Sequence, residues 1–156
     1  MAAGNRQDGE DAARVIMVAA AIDMAARRVP WVHQGRNSRS GVDCIGVPIE
    51  AARAAGLNPP QRANYRRQAD VGAFLEAMHA ACEPLLDGQV RPADVIEFRI
   101  KLRDMDARSV QPHLGLWIGG GQMVHACQTT GVVVRCDLDE RWKRRVMGWW
   151  RLREFC

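Results

Sequence analysis

No apolar run in this chain is long enough to cross a bilayer, which excludes a helical membrane span. Lysine is almost missing: only Lys101 and Lys143 occur, and the other 20 of the 22 basic residues are arginine. A net charge of +4 would suit an anionic partner, but 18 acids share the same segments, so no clean basic face emerges and nucleic acid is not the indicated partner. The cysteines, Cys44, Cys82, Cys127, Cys136 and Cys156, include no C-x-x-C pair and are odd in number. That argues against a disulfide framework or a zinc finger and for reduced thiols. Internal repeats and low-complexity tracts are lacking too. No basic stretch precedes the apolar patch from Val15 to Ile22, which Asp23 interrupts, so the reading is of a product without a secretory signal, kept in a cytoplasm or released by lysis.

What is present suits one domain: 156 residues, 47% of them hydrophobic, can bury a core of useful size. Residues 1–8 are polar and read as a flexible N-terminus. Val15, Ile16, Val18, Ala19, Ile22, Met24 and Ala25 recur at helical spacing and predict an amphipathic helix over 8–28, closed by Pro30. A polar loop over 31–42 leads to Cys44. A second helix is predicted over 44–55, stopped by Gly56, and a third over 70–86. Residues 61–69 read as irregular. Beyond Gly88 the composition turns β-branched and aromatic, predicting strands over 95–100, 111–118, 122–128, 131–138 and 146–153, with a charged loop over 101–110. Helices followed by an antiparallel run make an α+β fold, N-terminal helices packed on a C-terminal antiparallel sheet.

The chemistry gathers at two places. Asp43 precedes Cys44 as a plausible N-cap, which would put the thiol in a first helical turn, where the helix dipole favours thiolate. Further on, Gly119-Gly120-Gly121 reads as a three-residue hairpin loop. Pairing Ile118 with Gln122 sets His113 opposite Cys127 and His125 opposite Gly115, so both imidazoles share a face as diagonal neighbours, roughly 7 Å apart at the backbone. Cys44 as nucleophile, His113 as base, His125 as the group that orients it and the Cys44 N–H as an oxyanion donor would form an acyl-transfer site. Two other readings stay open at this point: strand histidines without a chemical role, and a metal held by Cys44, His113, His125 and Cys127, although that set has no tight ligand pair.

These residues carry a pattern. Gly41-Val42-Asp43-Cys44-Ile45-Gly46, with His113-Leu-Gly-Leu-Trp-Ile-Gly-Gly-Gly-Gln-Met-Val-His125-Ala126, resembles the NlpC superfamily of papain-like cell-wall peptidases: a Gly-x-Asp-Cys-x-Gly nucleophile box, then two strand histidines twelve positions apart. Arg91-Pro-Ala-Asp94 is similar to the family's Pro-Gly-Asp strand start. Pro30-Trp31-Val32-His33-Gln34 resembles the Pro-Tyr-x-His-Gln of tail-associated phage and gene-transfer-agent members, with Trp31 in place of tyrosine. The resemblance implies a papain-like fold and a cofactor-free cysteine peptidase. It would cut an amide in the peptide stem of peptidoglycan, commonly between D-γ-glutamyl and diaminopimelate. Catalysis would fall to Cys44, His113 and His125, and substrate contacts to Trp31 at the oxyanion site, His33 lining the cleft and Asp43 meeting the stem's free amine. Peptidoglycan and phage tail-tip or hub proteins would be the partners, and the virion tail the location. A non-catalytic tail protein with the same fold and a bacterial wall-remodelling peptidase are the alternatives.

Overall fold

The structure, a computed structural model, describes residues 2–61, 71–86, 88–101 and 110–156. Helix α1 (Ala2–Ala26) leads into a small hairpin, β1 (Arg36–Asn37) and β2 (Gly41–Val42), and then α2 (Gly46–Ala54) and α3 (Val71–Ala81). Strands β3 (Cys82–Pro84), β4 (Val95–Ile100), β5 (Gln111–Gly119), β6 (Gln122–Cys127) and β7 (Val132–Asp137) follow, then the one-turn α4 (Glu140–Lys143), β8 (Val146–Leu152) and a 3-10 turn (Arg153–Phe155). Six strands form one antiparallel sheet in the order β3-β8-β4-β5-β6-β7. The fold is therefore α+β, N-terminal helices followed by an antiparallel sheet, as the composition shift at Gly88 predicts.

Strand alternation divides the sheet between two cores. Val95, Leu114, Leu116, Val124, Ala126 and Val133 pack with the helices, while Ile96, Phe98, Met123 and Leu138 form a second cluster with Trp117, Trp142 and Trp149 against it. Burying each large side chain of these clusters contributes about 1.5–3 kcal/mol. His113 is the register partner of Phe98, so the histidines belong to the second side.

Several local expectations need correction. α1 begins at Ala2, so residues 2–8, read as a flexible terminus, are helical, and the Arg6 guanidinium donates to the Cys156 carbonyl. The buried stripe of α1 is Ala13, Met17, Ala21 and Met24, leaving Val15 69% and Ile16 44% exposed. Alanine at every other contact lets the helix approach α2 more closely than a stripe of β-branched residues would. The third helix stops at Ala81, and Cys82–Pro84 pairs with β8 instead. Proline cannot continue a helix but is tolerated on a sheet edge, and β3 is an edge strand. The hairpin ends with Gly119 opposite Gln122, not Ile118: a bulge follows Trp117, and Gly120 and Gly121 form a two-residue turn with φ of 61° and 77°. Positive φ at both positions is the type I′ signature. The irregular stretch predicted over 61–69 and the charged loop over 101–110 lie almost wholly outside the described residues.

A buried ionic cluster ties the ends of the chain to the sheet. Asp94, fully buried, accepts from Arg14 at 3.0 Å, from two Arg151 nitrogens at 3.0 and 2.8 Å, and from the Arg91 amide at 2.8 Å. Ala93, inside that turn, takes φ 74°, the position where the resembled motif has glycine.

Candidate active site

The loop before α2 is built on close backbone approach. A Cβ on Gly41 would stand 2.2 Å from Val32 Cγ2, and one on Gly46 would stand 2.3 Å from the Gly35 carbonyl oxygen. Only glycine permits either contact, which explains both glycines of the nucleophile box. The strand-like segment at 30–32 runs beside β2, with the Val32 amide on the Val42 carbonyl and the Val42 amide on the Pro30 carbonyl, both at 3.0 Å.

Asp43, 3% exposed, closes this loop. Its carboxylate accepts from the Gln34, Ile45 and Gly46 amides at 3.0, 3.0 and 2.9 Å and pairs with Arg36 at 2.7 Å. The N-capping predicted from its position is thus present in effect, although α2 starts two residues after Cys44, which lies in the turn ahead of it. Three of these donors, from Arg36, Ile45 and Gly46, share Oδ1, while the Gln34 amide meets Oδ2. The shell explains Asp43 as a structural group.

Cys44 is half-buried and its sulfur is enclosed. Burial first, and the Asp43 charge second, push the thiol up to about 12, while hydrogen bonds from the Leu114 and Cys44 amides and the Arg36 charge act in the opposite direction. The helix start was expected to favour thiolate; enclosure outweighs it, and the resting sulfur is a neutral thiol. The hydrogen bond locates it: the thiol meets β5 at Leu114, next to His113. The β5–β6 pairing begins only at Leu116 and Val124, so the thiol meets β5 just short of that ladder.

The histidine parity read from the hairpin holds, because the pairing of Leu116 with Val124 keeps the inferred register despite the bulge. His113 Nε2 and His125 Nδ1 stand 2.9 Å apart, with the rings perpendicular and both residues buried. That bond leaves Nδ1 of His113 as the nitrogen available to a thiol. Burial, and then the neighbouring His125, hold His113 well below the usual histidine value, and burial lowers His125 to about 4, so both rings are neutral near pH 7. In the tautomer that makes His113 a base, Nε2–H donates to His125, which carries its own proton on Nε2.

Trp31 and His33 lie on the segment beside β2, stacked at 6.4 Å with planes 27° apart, and the Trp31 amide donates to the Gly131 carbonyl at 2.8 Å. Cys127 is half-buried at the far end of β6, opposite Val132. Among the described residues no group of three or more His, Cys, Asp or Glu side chains could hold a metal ion, which removes the four-ligand alternative. Trp142, which with the Lys-Arg-Arg after it shares in the family resemblance, was given no role at the site by sequence reasoning. Its indole stacks on His113 at 6.1 Å and 23° and meets His125 edge-on at 5.0 Å. A lone aromatic within the basic run from Arg141 to Arg145 gives no periodic signal, so its place beside the histidines is visible only in the fold.

A family model described as the NlpC/P60 family matches residues 28–151, well over half of the chain. The murein DD-endopeptidase MepS/murein LD-carboxypeptidase of Escherichia coli (strain K12) is 29% identical over 112 residues, covering 71% of this chain and 50% of that protein. The chain thus spans about half the length of the curated relatives it matches. Among solved structures, a protein similar to lipoprotein of the NLP/P60 family from Staphylococcus aureus subsp. aureus Mu50 superposes with a TM-score of 0.63 at 18% identity, covering 90% of this chain and 41% of that one. The P60 domain of a Mycobacterium avium subspecies paratuberculosis antigen gives 0.61 at 16% identity, covering 91% and 94%. At such identities the likeness concerns the fold alone.

Proposed function

Because this chain belongs to the NlpC/P60 family, we propose that it is a cysteine peptidase hydrolysing an amide bond in the peptide stem of peptidoglycan. The observation that carries the reading is the 2.9 Å bond between His113 and His125, which leaves one imidazole nitrogen on the strand that receives the Cys44 thiol. As the sulfur attacks the scissile carbonyl carbon, Nδ1 of His113 takes the thiol proton. The imidazolium so formed is stabilised by its Nε2–H donating to His125. Negative charge gathers on the carbonyl oxygen, for which the Cys44 amide is one donor and the Trp31 indole N–H a candidate second. Collapse breaks the C–N bond, His113 gives its proton to the leaving amine, and a thioester remains. Water then attacks that thioester with His113 again as base, releasing the carboxylate and restoring the thiol.

In this reading His33 lines the cleft and Asp43 holds the nucleophile loop, with recognition of the stem's free amine as its second role. The bond cut is D-γ-glutamyl–diaminopimelate, a choice that rests on the nucleophile-box resemblance. The Escherichia coli relative named a DD-endopeptidase favours a second bond, the cross-link between stems. Mass spectrometry of digested muropeptides separates the two, because only the second converts cross-linked dimers to intact monomers. The resemblance at Pro30–Gln34 supports a phage tail tip as the place of action, and the curated relatives support wall remodelling in a bacterium. Particle fractionation with an antibody to the chain distinguishes them. Cys44→Ala is expected to abolish release of soluble fragments from purified peptidoglycan; equal turnover by the variant rejects the cysteine-peptidase assignment, and no release by the parent chain itself leaves a non-catalytic protein with this fold.

A further inference from the structure

The histidine pair has a roof. Trp142 is set by α4, whose N-cap Asp139 accepts the Trp142 amide at 3.0 Å. On the other side the Arg145 amide donates to the Trp142 carbonyl at 2.8 Å, and the Arg145 carbonyl accepts the Arg99 amide of β4 at 3.0 Å. The backbone carrying the indole is thereby fastened on both flanks. The ring lies nearly parallel to His113, edge-on to His125 at 68°, and edge-on to Phe98 at 4.9 Å and 61°. The Arg145 guanidinium sits 5.7 Å from its centre. Phe98 closes a further side of His113 at 6.2 Å.

This packing matters because the bond between the imidazoles is directional. Perpendicular rings joined through single nitrogens keep their bond only while both χ2 angles stay fixed, and terminal sp² torsions are soft unless packing fixes them. The second cluster of the sheet supplies Phe98, which meets His113 from β4. Trp142 does so from a separate element.

We propose that Trp142 is a positioning residue of this site: its indole fixes the His113 ring with Nε2 on His125 and Nδ1 toward the nucleophile, and keeps water off the bond between them. The inference rests on the peptidase reading for its role in catalysis, but not for the ring geometry. Among the described residues, the rings against His113 are His125 from β6, Phe98 from β4 and Trp142 from α4, with Arg145 behind Trp142; the Cys44 thiol meets the next residue of β5. Asp139 points its carboxylate at the α4 backbone, and Glu97 of β4 is engaged by Arg99 and by the Trp150 indole at 3.0 Å. No carboxylate among these is directed at the pair, so opening the roof chiefly admits water.

The test is nitrogen-15 NMR of the histidine rings across a pH series in the full chain, comparing the parent with Trp142→Ala and Trp142→Phe. The parent should show His113 as one neutral tautomer, protonated on Nε2. Trp142→Ala should show mixed tautomers and an upward move of both apparent pKa values toward the ordinary histidine range, and Trp142→Phe should restore most of the parent pattern. On peptidoglycan, kcat of Trp142→Ala should fall on the order of tenfold to a hundredfold with little change in KM, and its acid limb should move up with the NMR values. If Trp142→Ala does not fold, Asp139→Ala, which loosens the cap and leaves the indole in place, should give the same tautomer mixing in smaller degree. Unchanged tautomers and pKa values in whichever of these variants folds would overturn the proposal. Should Cys44→Ala retain activity, the peptidase reading falls, while the ring spectra still decide the part of Trp142.

Discussion

The carboxylate of Asp43 stands 2.7 Å from the Arg36 guanidinium and one residue from the thiol of Cys44, so the side chain that fastens the nucleophile loop also opposes ionisation of the nucleophile. Structure and reactivity pull on it in opposite directions, and substitution separates them.

Asp43→Asn removes the charge. The Cys44 pKa should drop from about 12, because a neighbouring negative charge disfavours thiolate, and alkylation of Cys44 at fixed pH should accelerate several-fold. The same change places an amide donor against the donors now served by carboxylate oxygens and should cost about 1–3 kcal/mol in urea unfolding. An alkylation rate equal to the parent's would show that Asp43 has no electrostatic hold on the sulfur.

The histidine pair makes a pH prediction of definite sign. His125 has its pKa lowered by burial to about 4, against an ordinary value of 6.5, so between these values the unfolded chain takes up a proton that the folded chain refuses. Stability is full above pH 6.5 and is lost as pH falls toward 4, by on the order of 3 kcal/mol over the window. His113, shifted the same way, adds to the loss. Urea midpoints at a series of pH values, compared with His125→Asn, should show a shallower acid slope in the variant. His125→Asn keeps an acceptor for Nε2–H and should retain more kcat than His125→Leu, which keeps none.

Asp94 carries the largest structural prediction. Its removal leaves the buried Arg14 and the half-buried Arg151 guanidinium without their shared carboxylate. Asp94→Ala should destabilise by about 3–5 kcal/mol. A thermal shift within the range of a surface substitution would contradict that account.

The two box glycines should differ in whether they can be rescued. Gly41→Ala clashes with the Val32 side chain, so adding Val32→Gly should recover much of the lost stability. Gly46→Ala meets the Gly35 carbonyl, and no side-chain truncation there helps. Thermal unfolding of the single and double variants reads this out.

The histidine relationship was legible before the fold because it depends on strand parity alone: a period of two survives a bulge two residues from the turn, and Leu116 opposite Val124 preserves it. The nucleophile box was legible for a similar reason, since its glycines record close contacts, Gly41 with the Val32 side chain and Gly46 with the Gly35 carbonyl, that leave no room for a Cβ. Other features depend on distances that the chain does not encode locally. The face of α1 was misread because apolar residues ring the helix from Ala12 to Ala26, and only the partner decides that Met17 goes in and Val15 out. Thiolate was expected from the helix start because the enclosing β5 backbone is seventy residues downstream of Cys44. Trp142 approaches the imidazoles through α4, with no spacing rule connecting it to either.

The two outer strands of the sheet leave little room for self-association by strand addition. β3 is three residues long and ends in Pro84, which has no N–H to offer. Along β7, the Val133 amide is already committed to the Val29 carbonyl at 2.8 Å, and Pro30 bridges to Val132. An incoming copy finds one edge too brief to template and the other partly occupied, so the route by which open sheets zip into fibrils is blunted at both borders.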